Sequence, residues 1–456
     1  MTERIVQWDF AAFIGIDWAE ERHIVSLREA GSEKAELFKL VNKPELIREW
    51  INELRTRFPG RQIAVALEQF RGALIYQLME FDFLVLFPIN PKTISKYREA
   101  LRSSGAKDDP SDASLLMHFL QTHLSFLRAL EPENPLTLKL RKLVEYRRKI
   151  VDQCSSLTRR IQQELKSYFP QSLNWLPELN TQMACDFLTK WPTLADVKRA
   201  KPEVLRNFFR KHNCRKNDLI EGRLNEIKLA VAPTQNQAII SASVVIVQNL
   251  VSQLKVAMSC VKNFDCEIQN VFKDHPDRFL YESFPGAGPV LEPRLAVAMG
   301  MDRNRYQSAI QLQQFSGIAP VTDTSGKNRW VHWRWACPKF MRQTFVEFVA
   351  CSLPRSAWAK ACYDQQRALG KGHHAALRAV AFKWQRIIFA CWKNRQPYDE
   401  NKYLNNQKRR DSLLLKPVIK PVKSNNPGFE SASQIIEQVK SRMTIKRSEI
   451  PVEKNK

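Results

Sequence analysis

Three aspartates fall within five residues of the stretch RSSGAKDDPSDASLLMHFL, residues 102–120: Asp108, Asp109 and Asp112. Two chemistries are open to them. The first is helix initiation. Asp109 is a good N-cap, Pro110 suits the first helical position, and Asp112 falls where a carboxylate can reach back to free backbone N–H groups. The apolar residues Leu115, Leu116, Phe119 and Leu120 then give the helix a buried face. The second is metal binding. Residues i and i+3 share a helical face, so Asp109 and Asp112 can approach a sheet edge together. Two more carboxylates, Asp17 in FAAFIGIDWA and Glu68 in RQIAVALEQ, fall at or near strand ends. Taken singly, Asp17 reads as a turn residue and Glu68 as a solvated strand end. Taken together, four carboxylates with little local positive charge repel one another unless divalent ions bind between them. Mg2+ is the natural partner, because it prefers oxygen ligands and keeps coordination sites for substrate phosphates. Two such ions can activate an attacking oxygen and stabilise a leaving one in phosphodiester displacement. On a strongly basic chain the joint reading is the stronger.

The elements that must position these residues occupy residues 10–125. FAAFIGIDWA, a strand starting in EERHIVSLRE, and AELFKLV form a meander of short strands. PELIREWINELRTRF has apolar residues at helical spacing. Strand RQIAVALEQ, helix GALIYQLMEF, strand FLVLFPIN and helix KTISKYREAL follow. Three strands followed by alternating helices and strands is the element order of the ribonuclease H-like fold. In open α/β sheets, sites gather at the carboxyl ends of strands.

The rest of the chain is expected to be all-α. Residues 135–275 read as a long helical hairpin or coiled coil, with one arm from about 135 to 170 and the return arm at about 236–273. Residues 171–235 between the arms are helical but irregular, and their packing is left open. A mostly helical domain spans 279–400, and residues 401–456 form a basic tail expected to be partly disordered.

Two stretches of the C-terminal domain suit nucleic acid. SFPGAGPVLEPRLAVAMG, residues 283–300, contains a Pro-Gly-x-Gly-Pro turn before a helix, the form of a helix–hairpin–helix element, in which Gly286 and Gly288 let backbone N–H groups meet a phosphate. TDTSGKNRWVHWRWACPKFMRQ interleaves Lys327, Arg329, Trp330, His332, Trp333, Arg334 and Trp335. The cations suit phosphates and the tryptophans suit stacking on bases. The competing reading is a short strand with its tryptophans in the core. Ser325-Gly326 in this segment is, by composition, a plain turn, with no neighbouring His–Asp pair to activate the serine. His373 and His374 are placed at a helix start.

Bulk properties agree with a polyanion partner. The 456 residues carry a formal charge of +24, which points to nucleic acid held through phosphates. A membrane partner is not expected: the longest apolar run, AIISASVVIV, is too short to span a bilayer, and MTERIVQWDF lacks the apolar core of a signal peptide. Nine cysteines without a CxxC pair fit a reducing cytoplasm and no structural zinc site.

In order along the chain, FIGIDWAEERH, LEQFRG, INPKTISKYREALRSSGAKDDPSDASLL, FPGAGP…QFSGIAPVTDTSGK and GKGHHAALRAVAFKWQRIIFACWKNRQPYD resemble the DEDD transposases of the insertion-sequence 110/1111 family, relatives of the Piv-type DNA invertases. The similarity covers residues 12–125 and 279–400. It implies a RuvC-like (ribonuclease H-like) domain whose carboxylates bind Mg2+: Asp17 in GIDWA, Glu68 in LEQ, and Asp109 and Asp112 by the pattern K-x-D-x-x-D-A, with Asp108 a bystander. It further implies that Ser325, the serine before a glycine after the G-[IL]-[AT]-P turn, attacks a DNA phosphate to form a phosphoserine link. Ser316 precedes that turn and fits less well. The family also implies composite sites in a tetramer, dimerisation through the helical hairpin, and a structured noncoding RNA that selects donor and target DNA by base pairing, in the bacterial cytoplasm at the nucleoid. LEQFRG departs from the commoner E-A-T-G version, and the tail after residue 400 exceeds the family pattern. The rival readings are a hydrolytic RuvC-like nuclease or Holliday-junction resolvase, and a nucleic-acid-binding protein with structural carboxylates.

Overall fold

The first strand, β1 (Phe10–Asp17), is FAAFIGID and is buried along most of its length, as a central strand covered on both faces should be. Around it the computed structural model describes residues 8–101, 109–130, 134–326 and 328–409. The chain divides into two units, residues 1–132 and 133–456.

In the first unit, β2 (Arg22–Glu29) and β3 (Ala35–Val41) continue from β1 as an antiparallel meander. Then come α1 (Pro44–Arg57), β4 (Gln62–Leu67), α2 (Ala73–Leu78), β5 (Leu84–Pro88), α3 (Pro91–Leu101) and α4 (Asp109–His123). The five strands form one sheet of order β3-β2-β1-β4-β5, with β4 parallel to both β1 and β5. This arrangement is consistent with a ribonuclease H-like domain.

Period-two alternation sorts the strands' side chains between two layers. Ile14, Ile16, Val65 and Leu67 pack with Ile47, Trp50, Ile51 and Leu54 of α1 and with Leu74, Ile75 and Leu78 of α2. Ala64, Ala66 and Phe87 face Ile94 of α3 and Leu116 and Leu120 of α4. Gly15 belongs to this second face. A Cβ there would lie 2.1 Å from the Ala113 carbonyl oxygen and 2.5 Å from the Met117 nitrogen, so its lack of a side chain lets α4 press directly on β1.

The second unit is built on two antiparallel helices, α5 (Pro135–Tyr168) and, after five intervening helices, α11 (Gln237–Phe272). Asn134 and Asn236 cap them, each side chain accepting a backbone N–H two residues on. Arg147 meets Asp265 near one end of the pair, and Ser243 donates to Glu164 at 2.6 Å near the other. The intervening helices are α6 (Ser172–Trp175), α7 (Gln182–Lys190), α8 (Leu194–Arg199), α9 (Pro202–Lys211) and α10 (Asn217–Leu229). They pack Trp175, Phe187, Trp191, Phe208 and Phe209 on the far part of the pair, against Leu157, Ile161, Leu165, Val247, Leu250 and Leu254. That is the packing the sequence left open.

At the near end, Leu140 and Val144 of α5 and Ile268 and Phe272 of α11 enter a different core. It is formed by α12 (Arg278–Glu282), α13 (Gly288–Met299), α14 (Ala309–Phe315), α15 (Lys339–Ser352), α16 (Ala357–Ala368) and α17 (His373–Asn394), with Trp358, Trp384 and Trp392 among its largest fully buried side chains. The base of the hairpin and the C-terminal helices therefore share one core. Two strands, β6 (Val321–Ser325) and β7 (Asn328–His332), form a separate two-stranded sheet. The last described helix is α18 (Glu400–Arg409), and the tail from 410 on lies outside the described residues.

One sequence expectation needs correction. By length and composition α11 is apolar enough to cross a membrane, because serine, asparagine and glutamine interrupt the apolar residues without adding charge. In this chain its inward side packs on α5 and on the intervening helices.

Candidate active site

Strand pairing places the first two carboxylates. Ile16 is the register partner of Leu67, so Asp17, the last residue of β1, and Glu68, the first beyond β4, are neighbours at the carboxyl edge of the sheet. By alternation both continue the face of Gly15 and Ala66, on which α3 and α4 lie.

Helix α4 runs antiparallel to β1. Arg28, paired with Phe13, donates to Gln121 at 3.1 Å, whereas Ser26, paired with Gly15, meets Met117 and Ser114 at 3.5 Å. The helix start, carrying Asp109 and Asp112, is thus directed toward the Asp17 end of the strand. Asp112 is 6% exposed and forms an ion pair with Arg98 of α3. Its expected reach back to the helix's own N–H groups gives way to this guanidinium, which is the stronger partner for a shielded carboxylate. Asp109 is the first residue of α4. Its side chain, like all of Asp108, lies outside the described residues. Among the described residues no three acidic, histidine or cysteine side chains are gathered closely enough to hold a metal ion.

A residue not singled out from sequence shapes this edge. His23, fully buried, accepts the Ala19 backbone N–H on Nδ1 at 3.2 Å, fixing the turn that follows Asp17. Burial lowers its pKa, opposed by hydrogen bonds to Asn42 and Ala19, and so favours the neutral ring able to accept that bond. Asn42 also donates to the Glu20 carbonyl at 2.8 Å across the same turn. The available signal was a histidine at an inward position of an apolar strand.

The second unit carries the serine. Ser325 ends β6 and pairs with Asn328, and Gly326 opens the turn of this β-hairpin. Gly326 has φ +57°, which glycine adopts without strain, and open space around its Cα. Lys327 lies outside the described residues. Ser325 is exposed at the hairpin tip. Asp323, Trp330 and His332 share its face by alternation, and His332 Nε2 lies 3.2 Å from Asp323. In this His–Asp pair, unseen in the sequence, Asp323 is two residue steps from the tip and His332 four, or about 13 Å along a strand, too far for the imidazole to take the serine's proton directly. Ser316, the competing serine, is fully buried: its Oγ accepts from Gln385 at 2.7 Å and donates to the Gln313 carbonyl. It is a structural hydroxyl.

The tryptophans of this segment are not core residues. Trp330 is 49% and Trp335 81% exposed, and Trp333 is half-buried against two arginine side chains. Arg329 is exposed on β7, while Arg334 donates to the Ala319 carbonyl at 3.2 Å. Gly286 has a packing role, since a Cβ there would lie 2.3 Å from the Cys351 carbonyl oxygen; Gly288 has open space around it. His373 and His374 begin α17, as their sequence context suggests.

Two family models match the chain in order. One, a DEDD transposase model of the IS110 type, described as "Transposase", covers residues 14–170; the other, "Transposase IS116/IS110/IS902 family", covers 280–364. The carboxylate edge falls within the first and Ser325 within the second. The chain is 28% identical over 403 residues to the "Mini-circle putative transposase for IS117" of Streptomyces coelicolor, covering 86% of this chain and 96% of that protein. It is 26% identical over 303 residues to the "Insertion element IS110 uncharacterized 43.6 kDa protein" of the same organism, covering 64% and 72%. It is 22% identical over 388 residues to the "Insertion element IS116 uncharacterized 44.8 kDa protein" of Streptomyces clavuligerus, covering 84% and 95%. Both matched segments thus point to one lineage: the chain belongs to the IS110 family of DEDD transposases.

Proposed function

We propose that the protein moves its insertion sequence by cutting and rejoining donor and target DNA through a phosphoserine at Ser325, with a structured noncoding RNA selecting the sites. The observation that carries this reading is the strand register that sets Asp17 beside Glu68 on the face toward which the start of α4 is directed.

Asp17, Glu68, Asp109 and Asp112 would hold Mg2+. The donors are all carboxylate oxygens, the chemistry that ion prefers, and the Arg98 guanidinium already stands in as a cation on Asp112. Mg2+, when bound, supplies positive charge to the phosphate and to the attacking oxygen. The protein's own contributions are positional. Strand ends anchor Asp17 and Glu68, and His23 fixes the turn beside them. The exposed hairpin tip presents the Ser325 hydroxyl with space for a phosphodiester. Exchanging one phosphodiester bond for a serine ester, and later reversing the exchange, conserves the bond energy needed for rejoining. Lys327, Arg329, Trp330, Trp333, Arg334 and the open turn at Gly288 supply nucleic-acid contacts, and Gly286 holds that turn in place.

Self-association follows from α11. Residues 236–261 contain one charged residue, Lys255, and leave Ile239, Val245, Ile246 and Val256 exposed. On so highly charged a protein this face suits a second copy, giving the dimer, two of which would make the tetramer. Val245→Glu with Ile246→Glu should shift the sedimenting species to monomer; an unchanged oligomeric state would rule this surface out.

The test of the whole reading is a denaturing gel of the purified protein incubated with Mg2+, its co-purified RNA and labelled DNA. A covalent protein–DNA species mapping to Ser325 is expected. Nicked DNA without that species would favour a hydrolytic nuclease or resolvase, and binding without cleavage a non-catalytic role.

A further inference from the structure

The residue after β7 is Trp333, at the base of the hairpin whose tip holds Ser325. Two guanidinium groups sit on its ring: that of Arg342, from α15, at 4.5 Å from the ring centre, and that of Arg378, from α17, at 3.9 Å. The two cations are therefore no more than about 8 Å apart, and neither forms an ion pair with a described carboxylate. Several other half-buried or buried arginines of this unit have carboxylate partners. Arg147 has Asp265, Arg148 and Arg294 share Glu347, and Arg303 has Asp277. Arg342 donates one bond to the Arg334 carbonyl at 3.0 Å, which orients its fork. Burial, and after it the charge of Arg342, lowers the pKa of Arg378, so the pair is held against its own repulsion.

An indole face offsets part of the cost of a half-buried cation but does not neutralise two. What relieves both at once is an anion with several acceptor oxygens, and arginine forks match phosphate geometry. We propose that Arg342 and Arg378, mounted on Trp333, form a seat for the phosphodiester backbone of the DNA strand delivered to Ser325. This rests on the function proposed above. The five residue steps from Asn328 to Trp333 span about 16 Å of extended chain, so the seated phosphate lies several base steps from the attacked one. The arginines are positioning residues, and their work is affinity and register. The exposed ring of Trp335, 6.4 Å from that of Trp333, is placed to stack on an unpaired base beside the seat.

The test uses the full-length variants Arg378→Gln and Arg342→Gln, with fluorescence anisotropy of a labelled DNA duplex of arbitrary sequence over a range of salt. Each should bind about tenfold more weakly, as loss of a charged hydrogen-bonding partner implies, with a salt slope shallower by about one. Arg378→Gln should melt at the wild-type temperature or above, because it removes a repulsion, a combination that a purely structural arginine would not give. Unchanged DNA affinity in both variants overturns the seat. So does weakened binding to an RNA hairpin with DNA binding intact, which would assign the arginines to RNA. If the wild-type protein binds DNA through these arginines yet never forms a covalent species, the phosphoserine reading falls and the seat stands.

Discussion

Ser325→Ala is expected to remove the covalent protein–DNA species and to lower strand joining by about a thousandfold or more, the scale on which removing a nucleophile acts. Stability should stay within about 0.5 kcal/mol of wild type, because the side chain is exposed at a hairpin tip. Glycine at the neighbouring position 326 has the positive φ, so the serine's replacement leaves the turn intact. The measurements are a recombination assay with purified components and a thermal melt of the same sample. Recombination that survives with the fold intact would remove Ser325 from the mechanism and return attention to the carboxylate edge. If the serine chemistry is lost but metal-dependent nicking persists, the two elements act separably.

Gly15→Ala should cost about as much as any single added methyl in this protein. Its Cβ would lie 2.1 Å from one backbone atom of α4 and 2.5 Å from another, and backbone cannot rotate away as a side chain can. The helix must shift, at a cost of about 3 kcal/mol, which lowers the melting temperature by roughly 10 °C. The same shift moves the start of α4, so Asp112 no longer stands where the contact of α4 on β1 put it relative to Asp17. DNA cleavage should fall by more than the loss of folded protein explains, while DNA binding by the folded fraction is kept. A variant as stable as wild type would show that α4 is not seated by this contact. Asp112→Asn gives the complementary control, because it removes charge without moving the helix.

Much of this architecture can be read in the sequence, and the reasons are local. AELFKLV is β3 end to end, and PELIREWINELRTR is α1, because a short apolar run marks the first and an unbroken helical spacing the second. The long arms were legible from apolar stripes that begin at an asparagine cap. The carboxylate edge was legible because Asp17 and Glu68 terminate strands, which needs no knowledge of packing. What was not legible depends on partners far apart in the chain. Arg98 and Asp112 belong to different helices, and nothing in either segment announces the pair. The tryptophans of 330–335 suggest a core by composition, but the hairpin carries them outward, and two arginines from α15 and α17 cover only Trp333. His332 found Asp323 only once β6 and β7 were in register. Serine and glutamine among the valines of α11 masked how little charge residues 236–261 of that helix carry.

The two ends of the α5/α11 pair belong to different cores, and this orders assembly in time. Everything in the far core lies between Cys154 and Ala257, so that core can close while the C-terminal helices are still being synthesised. The near core includes both Leu140 and Trp392, so it closes fully only once the C-terminal helices are present. The far helices thus act as a clasp that holds α5 and α11 side by side before their base has anything to pack on. The base of the hairpin carrying Ser325 gains its Arg378 contact on Trp333 only when α17 arrives, so the hairpin is braced late in synthesis.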